Sequence, residues 1–242
     1  MKASASDQRS ILDIQKFDFQ SATLRNKAAN LPELAEINSL TIKQNNARDL
    51  RIAAETELSD VKRELARAEG DVEQIVTRIE RDEKRLSSGT GTPKELEQTQ
   101  HELVTLGARR AELEEVELEI MMRVDAIKER IADLSGQENQ LALEIADLNI
   151  RKENALAAIH TELEGIEADR KSTTQSVNAD FLALYEKIRE GNNGIGAAAL
   201  AGNQCKGCNL TLNTIELQRI AGLAEDEVVR CEECRCILVR ER

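Results

Sequence analysis

The chain has 242 residues, of which 32% are charged and 2% aromatic, with no Trp, one Tyr and three Phe. This excludes an ordinary globule packed on aromatic bulk, since each ring buries roughly 150–250 Å²; Leu, Ile, Val and Ala among many Glu, Lys, Arg and Gln is instead the palette of long helices and coiled coils. The net charge of −12 is concentrated on residues 93–190, which hold 22 acidic and 12 basic side chains, a poor surface for nucleic acid because affinity for a phosphate backbone comes chiefly from Lys and Arg.

The first residues, Met1 to Asp7, have no apolar segment behind their charge, so no signal peptide is expected. No run approaches the ~18 apolar residues of a membrane span. A cytoplasmic protein with no membrane insertion is the expectation. From about residue 7 to 31 the apolar positions Ile14, Phe17, Leu24 and Leu31 predict a first helix. Pro32 ends it with a kink and suits the first position of a new one.

From there a heptad seam runs through Ile37/Leu40, Gln44/Ala47, Arg51/Ala54, Leu58/Val61, Leu65/Ala68, Val72/Ile75, Ile79/Asp82 and Leu86, its steps alternating three and four. Gln44 and Arg51 are polar entries, which cost stability and can fix register. The pattern stops at Ser87-Ser88-Gly89-Thr90-Gly91-Thr92-Pro93, a turn with Thr92 as candidate N-cap and Pro93 opening the next helix. A second seam follows through Leu103/Leu106, Arg110/Leu113, Glu117/Ile120, Val124/Ile127, Ile131/Leu134, Glu138/Leu141 and Ile145/Leu148. It shifts phase near residues 149–156 and resumes through Ile159, Leu163, Ile166, Val177, Phe181, Leu184 and Ile188.

The helices are therefore placed at about 7–31, 32–87 and 93–190. The third exceeds the second by about the length of the first, so a long antiparallel coiled-coil hairpin over 1–190 follows. Its register brings Phe17 and Phe19 near Phe181 and Tyr185 at the base. A parallel homodimer is the competing architecture, and the Gly-rich turn argues for a monomeric hairpin.

Residues 191–242 form a second domain. Gly191 to Gly196 end the long helix, and Ala197 to Ala201 read as a short strand. Asn213 or Thr214 caps a short helix through Ala221. Val228-Val229 makes a strand whose hairpin partner is Ile237-Leu238-Val239. Two knuckles, Cys205-x-x-Cys208 and Cys231-x-x-Cys234, supply the four tetrahedral thiolates of one structural Zn2+. A ribbon of this size cannot build a sufficient core alone, and the metal is expected to supply folding energy. Four thiolates leave no place for an activated water, so the chain is not expected to be an enzyme. Cys236 is a surplus thiol: a spare ligand, a redox sensor, or simply a small buried hydrophobe. His101 and His160 stand alone as surface positions, and Met121-Met122 suits packing.

Several local features resemble the bacterial C4-type zinc ribbon family. They are Lys94-Glu95-Leu96-Glu97 after the turn, Phe181 and Tyr185-Glu186-Lys187-Ile188 before the ribbon, Cys205-x-Gly207-Cys208 with Leu212, and Cys231-x-x-Cys234 leading into Ile237-Leu238. The resemblance implies Cys205, Cys208, Cys231 and Cys234 as ligands, and a chaperone or adaptor role toward RNA, an alternative sigma factor, or flagellar and type III export components. One departure stands out: Arg235 and Cys236 occupy places where the family often has Gly and Arg. The expected function is a non-enzymatic adaptor or chaperone for a protein partner. The alternative is binding of RNA, ahead of DNA, through the ribbon, where Arg219, Arg230, Arg235, Arg240 and Arg242 are candidate contacts. Basic residues around the turn (Arg78, Arg81, Lys84, Arg85, Lys94) are a second candidate patch.

Overall fold

The computed structural model describes residues 1–240. The fold is mainly α, a long helical hairpin followed by a small four-stranded region. Helix α1 spans Ala5–Ala29; the Ser4 hydroxyl accepts from the Asp7 amide at 3.0 Å to cap its start. The chain leaves the helix at Asn30 and Leu31, and Pro32 opens α2, Pro32–Ser87, as a proline at a first helical position should. After the turn, Thr92 and Glu95 form a reciprocal capping box. The Glu95 carboxylate accepts from the Thr92 amide at 2.7 Å, and the Thr92 hydroxyl accepts from the Glu95 amide at 3.4 Å. The same backbone bond holds the Glu95 carboxyl below its usual pKa range.

The third helix differs from expectation. Instead of one helix over 93–190, α3 spans Pro93–Gln175 and α4 spans Ala179–Gly191. Before the break, the hydroxyls of Thr173, Thr174 and Ser176 each donate to a carbonyl three or four residues back. Such bonds compete with the helical ladder. Asn178 then restarts the helix, its side-chain oxygen accepting from the amides of Asp180 and Phe181 at 3.0 and 3.2 Å.

The described residues divide into two compact units, 35–149 and 1–34 with 150–240. In the first, Ala54 and Val61 of α2 are buried against Val124 and Ile127 of α3, with Leu58, Leu65, Ile120 and Ile131 around them. Arg123 pairs with Glu64 at 3.0 Å, and Arg130 pairs with Glu57; in each pair the later residue on α3 meets the earlier one on α2, so the helices run antiparallel. The polar seam entries have partners. Arg51 reaches Glu138 at 2.9 Å and Glu55 at 2.6 Å, and the Gln44 amide points at the Glu138 carbonyl at 3.5 Å. On α3 the burial pattern keeps phase through Leu148, Lys152, Ala155 and Ile159 and slips at Leu163 and Ile166, later than the predicted 149–156.

The second unit packs Ile11 and Ile14 of α1 against Val177, Phe181, Tyr185 and Ile188, with Ala197, Ile237 and Val239 beneath. The predicted four-aromatic cluster does not form. Phe181 and Tyr185 are fully buried, Phe17 is half-buried, and Phe19 is 70% exposed; Ile11 and Ile14, one turn earlier, take the inward positions. The strands are β1 Ala197–Ala201, β2 Gln204–Cys205, β3 Val229–Arg230 and β4 Ile237–Arg240, in sheet order β2-β1-β4-β3, with helix α5, Thr214–Ala221, capped by Asn213. The expected β3–β4 hairpin is present, pairing Val229 with Leu238. The parallel β1–β4 pairing, Ala197 opposite Ile237, went unpredicted. No helix among the described residues is long and apolar enough to cross a membrane.

Candidate metal centre

The two cysteine knuckles are built on one backbone frame. In the first, the Asn209 amide donates to the Cys205 carbonyl at 2.8 Å and the Cys205 amide to the Leu210 carbonyl at 3.0 Å. In the second, the Arg235 amide donates to the Cys231 carbonyl at 3.1 Å and the Cys231 amide to the Cys236 carbonyl at 2.9 Å. Each loop closes through a residue in the left-handed region, Asn209 at φ 61° and Arg235 at φ 63°. That conformation favours Gly or Asn and strains a long side chain. The place where the resembled family often has Gly is thus the place where this backbone calls for one.

The two knuckles bring the sulfurs of Cys205, Cys208, Cys231 and Cys234 within 4.8 Å of one another. Cys205 and Cys234 are 3.9 Å apart, as are Cys208 and Cys231. A disulfide needs about 2.05 Å between sulfurs. Four thiolates around one ion at about 2.3 Å stand about 3.8 Å apart along the edges of a tetrahedron. The donor set fits a tetrahedral metal ion. The site lies against a small apolar core of Ala198, Leu200, Ile220, Val229 and Leu238.

Cys236 adjoins the four. It is fully buried, with its sulfur 3.8 Å from Cys205 and 3.3 Å from Cys234. Gly207 makes room for it: a Cβ there would stand 3.3 Å from the Cys236 sulfur and 3.1 Å from the Ala198 methyl. Burial pushes the Cys234 thiol up to about 12 and raises the Cys236 thiol as well. A thiolate at either position therefore calls for a cation beside it.

The knuckles rest on a polar clip at the hairpin base that the sequence pattern did not disclose. The Gln15 side-chain oxygen accepts from the amides of Gly196 and Ala197 at 2.6 and 3.1 Å, and its amide donates to the Gly194 carbonyl at 2.9 Å. Gln15 thereby satisfies the entry to β1. Beside it the Tyr185 hydroxyl donates to Asp18, which also takes both arms of Arg170 at 2.7 and 3.2 Å. Arg170 and Arg189 both reach Glu186. Gly196 is required by contact, since a Cβ there would lie 2.5 Å from the Tyr185 ring.

At the other edge of the ribbon the first residues of the chain are bound in. The Ala3 amide donates to the Asp226 carbonyl at 2.8 Å, and the Val228 amide to the Met1 carbonyl at 3.2 Å. The arginines offered as a nucleic-acid patch are largely engaged. Arg240 donates to the carbonyls of Ile220, Leu223, Ala224, Glu225 and Glu227, closing the end of α5 and the loop after it. Arg219 pairs with Glu216, and Arg230 donates to the Arg235 carbonyl at 2.9 Å. Arg242 lies outside the described residues. His101 is exposed, and exposed His160 stands 3.5 Å from Glu164. Met121 and Met122 are exposed rather than packed.

Fold and site together define a coiled-coil hairpin protein with a C-terminal four-cysteine cluster able to hold a metal ion. Residues 14–193 match the CT398-like coiled coil hairpin domain, and the chain belongs to that family. It is 34% identical over 244 residues to the uncharacterized protein Rv2229c of Mycobacterium tuberculosis, covering 99% of this chain and 98% of that one. A solved structure from Mycobacterium smegmatis is 30% identical, with TM-score 0.87 over 99% of this chain and all of the other. CT398 from Chlamydia trachomatis, 16% identical, shares the fold at TM-score 0.69 over 97% of this chain and 98% of that chain.

Proposed function

We propose that the protein is a cytoplasmic, non-enzymatic adaptor or chaperone that binds a protein partner through its coiled-coil hairpin and its C-terminal ribbon. The ribbon is a C4 zinc ribbon, with one structural Zn2+ held by Cys205, Cys208, Cys231 and Cys234. A tetrahedral four-thiolate set suits zinc. When bound, the ion supplies folding energy to a region too small to hold itself. Four protein ligands leave no open position for substrate or water, which supports a structural role over a catalytic one.

The observation that carries protein over nucleic acid is the commitment of Arg240 to five backbone carbonyls, together with the pairing of Arg219 to Glu216. Among the described residues of the ribbon, Arg235 is the exposed arginine with no side-chain bond, and the ribbon has no aromatic side chain on which a base could stack. RNA binding through the ribbon is the alternative, supported there by the exposed Arg235, with the exposed Lys84, Arg85 and Lys94 beside the hairpin turn as a second candidate patch.

The test is the absorbance spectrum of the protein purified from its own cells before any nuclease step, with metal content measured on the same sample. One Tyr and no Trp leave almost no intrinsic absorbance at 280 nm, so bound RNA would dominate at 260 nm. A clean spectrum, one zinc per chain and a stoichiometric co-purifying protein are expected. A 260 nm band that RNase removes and added RNA restores would reverse the preference.

A further inference from the structure

Helix α3 is apolar on the side that a two-helix hairpin leaves to water. Its inward seam is Val124, Ile127, Ile131 and Leu134. On the opposite side, in steps of three and four, runs a row that includes Val104, Leu118, Met122 and Leu143, exposed by 72, 58, 66 and 67%. Ala108, Ala111, Ala132, Gly136 and Ala146 fill most of the other places in that row, all exposed. A solvated helix face normally carries charge at these positions. Large apolar side chains repeated along an exposed helix face point to an interaction surface. From Val104 to Leu143 the row is about 60 Å long at 1.5 Å per residue.

The charges within the row are acidic, and those beside it are mostly so. Glu115, Asp125, Glu129 and Asn139 interrupt it; one flank carries Glu112, Glu119 and Asp133 at heptad spacing with no Lys or Arg among those positions, and the other carries Lys128. The basic residues of this stretch are engaged, and Lys128 pairs with Asp125 of the row at 2.9 Å. Arg123 and Arg130 pair with Glu64 and Glu57 of α2, and Arg109 and Arg110 pair with Glu112 and Glu114. Glu115, Glu119 and Glu129 have no ion-pair partner among the described residues. Toward the C-terminal end of the row, Asp133, Leu134, Gly136 and Leu141 line a groove with Lys43, Ala47 and Leu50 of α2. Leu50 is 60% exposed, and a Cβ built on Gly136 would meet nothing within 4 Å. The groove is thus open to a side chain from outside.

We propose that the outward face of α3, from Val104 to Leu143, is the docking surface for a basic amphipathic helix of the partner protein. The inference rests on the adaptor reading and specifies its surface and ligand chemistry. Such a helix lays its apolar side along Leu118, Met122 and Leu143, seats one large side chain at Gly136, and brings Lys or Arg to Glu115, Glu119, Glu129 and Asp133. Exposed methionines adapt to varied apolar side chains. A second copy of this chain would set the same carboxylates against each other, and an anionic membrane surface or a nucleic acid would be repelled by them.

The experiment uses the full chain and three labelled synthetic 28-residue peptides in fluorescence anisotropy. The first is an amphipathic helix with Leu on one side and Lys flanking it. The second has the same composition, scrambled so that no apolar side forms. The third carries Glu for every Lys. The first should bind at least tenfold tighter than either other. Leu118→Gln with Met122→Gln should weaken it tenfold or more at unchanged helical circular dichroism, and Glu119→Gln with Asp133→Asn should weaken it several-fold and flatten its salt dependence. Equal binding of the scrambled peptide, or indifference to the Leu118/Met122 pair, refutes the surface.

Photo-cross-linking in cells separates this surface from the broader adaptor reading. Leu118→benzoylphenylalanine is compared with Ile215→benzoylphenylalanine, the latter residue being 80% exposed on the ribbon. A Lys- or Arg-rich helical segment mapped by mass spectrometry on the Leu118 adduct supports the proposal. Protein adducts at Ile215 alone overturn this surface and leave the adaptor standing. Protein adducts at neither position remove both.

Discussion

The Tyr185 hydroxyl donates to Asp18 Oδ2 at 2.6 Å, and this contact ties the helix that leads into the ribbon to the helix that begins the chain. Asp18 is also held by both arms of Arg170, so its carboxylate is a shared acceptor in a half-dry setting. Tyr185 itself is fully buried. Burial first, then the Asp18 hydrogen bond and charge, raise its phenol well above the usual tyrosine range.

Because Tyr185 is the one tyrosine, its ionisation can be followed alone, by tyrosinate absorbance near 295 nm. The folded-state pKa is raised above the unfolded value of about 10. The unfolded state therefore loses its proton first. The stabilisation linked to this group is complete below pH ~10 and falls as pH rises above it. The tyrosinate band should stay absent in the native protein at pH 10 and appear only as helical circular dichroism is lost at higher pH. In urea it should titrate near pH 10. A reversible native titration at pH 10 would contradict the buried contact. Tyr185→Phe should cost about 1.5–3 kcal/mol in denaturant unfolding, the range for a hydrogen bond to a charged group.

Gly196→Ala tests the same joint by volume. The added methyl would sit 2.5 Å from the Tyr185 ring and 2.9 Å from the Tyr185 carbonyl oxygen, so backbone or ring must shift. Overpacking of this kind costs about 1–3 kcal/mol. Gly136→Ala is the control. It meets nothing within 4 Å, and Ala in place of Gly inside a helix should stabilise by up to about 1 kcal/mol. Thermal unfolding of the two variants should move in opposite directions; movement together would refute the assignment.

Cys205→Ser with Cys208→Ser removes one knuckle. The metal-held ribbon should unfold while helical circular dichroism falls only slightly, because most helical residues belong to α2 and α3. The loss should include the start of α1, since Ala3, Gln8 and Gln15 bond into the ribbon and its entry. Amide hydrogen exchange should therefore speed up at residues 2–8 and 194–240 and stay slow at Ala54, Val61, Val124 and Ile127. Collapse of the whole helical signal would show that the ribbon is not a separable module.

The hairpin was legible because its information is periodic: Ala54, Val61, Val124 and Ile127 recur at seam spacing, and the cysteines come in two CxxC pairs. What stayed hidden depends on partners distant in sequence. Nothing near Gln15 indicates that its acceptors and donors are residues 194–197. Nothing near Lys2 and Ala3 indicates a bridge to Asp226 and Glu227, more than 220 residues away. The break at Ser176–Asn178 had a local signal, a run of hydroxyl side chains followed by Asn178 with Asp180 two places on, but the apolar positions Val177, Phe181 and Leu184 kept helical spacing across it. Antiparallel register brings Phe17 and Phe19 to the level of α4 but does not decide which face of α1 turns inward, and Ile11 and Ile14 hold the buried face against Phe181 and Tyr185.

Arg235 offers the sharpest test of the knuckle frame. Its φ of 63° lies in the left-handed region, where an L side chain costs roughly 1–2 kcal/mol and glycine does not. Its essential roles belong to the backbone: the amide donates to the Cys231 carbonyl, and the carbonyl accepts from Arg230. Both survive a change to glycine, although glycine also gains freedom in the unfolded chain, which offsets part of the relief. Arg235→Gly should therefore raise stability by up to about 1 kcal/mol and leave metal content unchanged. The equivalent position in the first knuckle, Asn209 at φ 61°, already holds a residue that tolerates this conformation, so Asn209→Gly should change stability by no more than a few tenths of a kcal/mol. If Arg235→Gly instead lowers stability by 1 kcal/mol or more, the arginine side chain holds the second knuckle through a contact of its own, and the two knuckles are not equivalent.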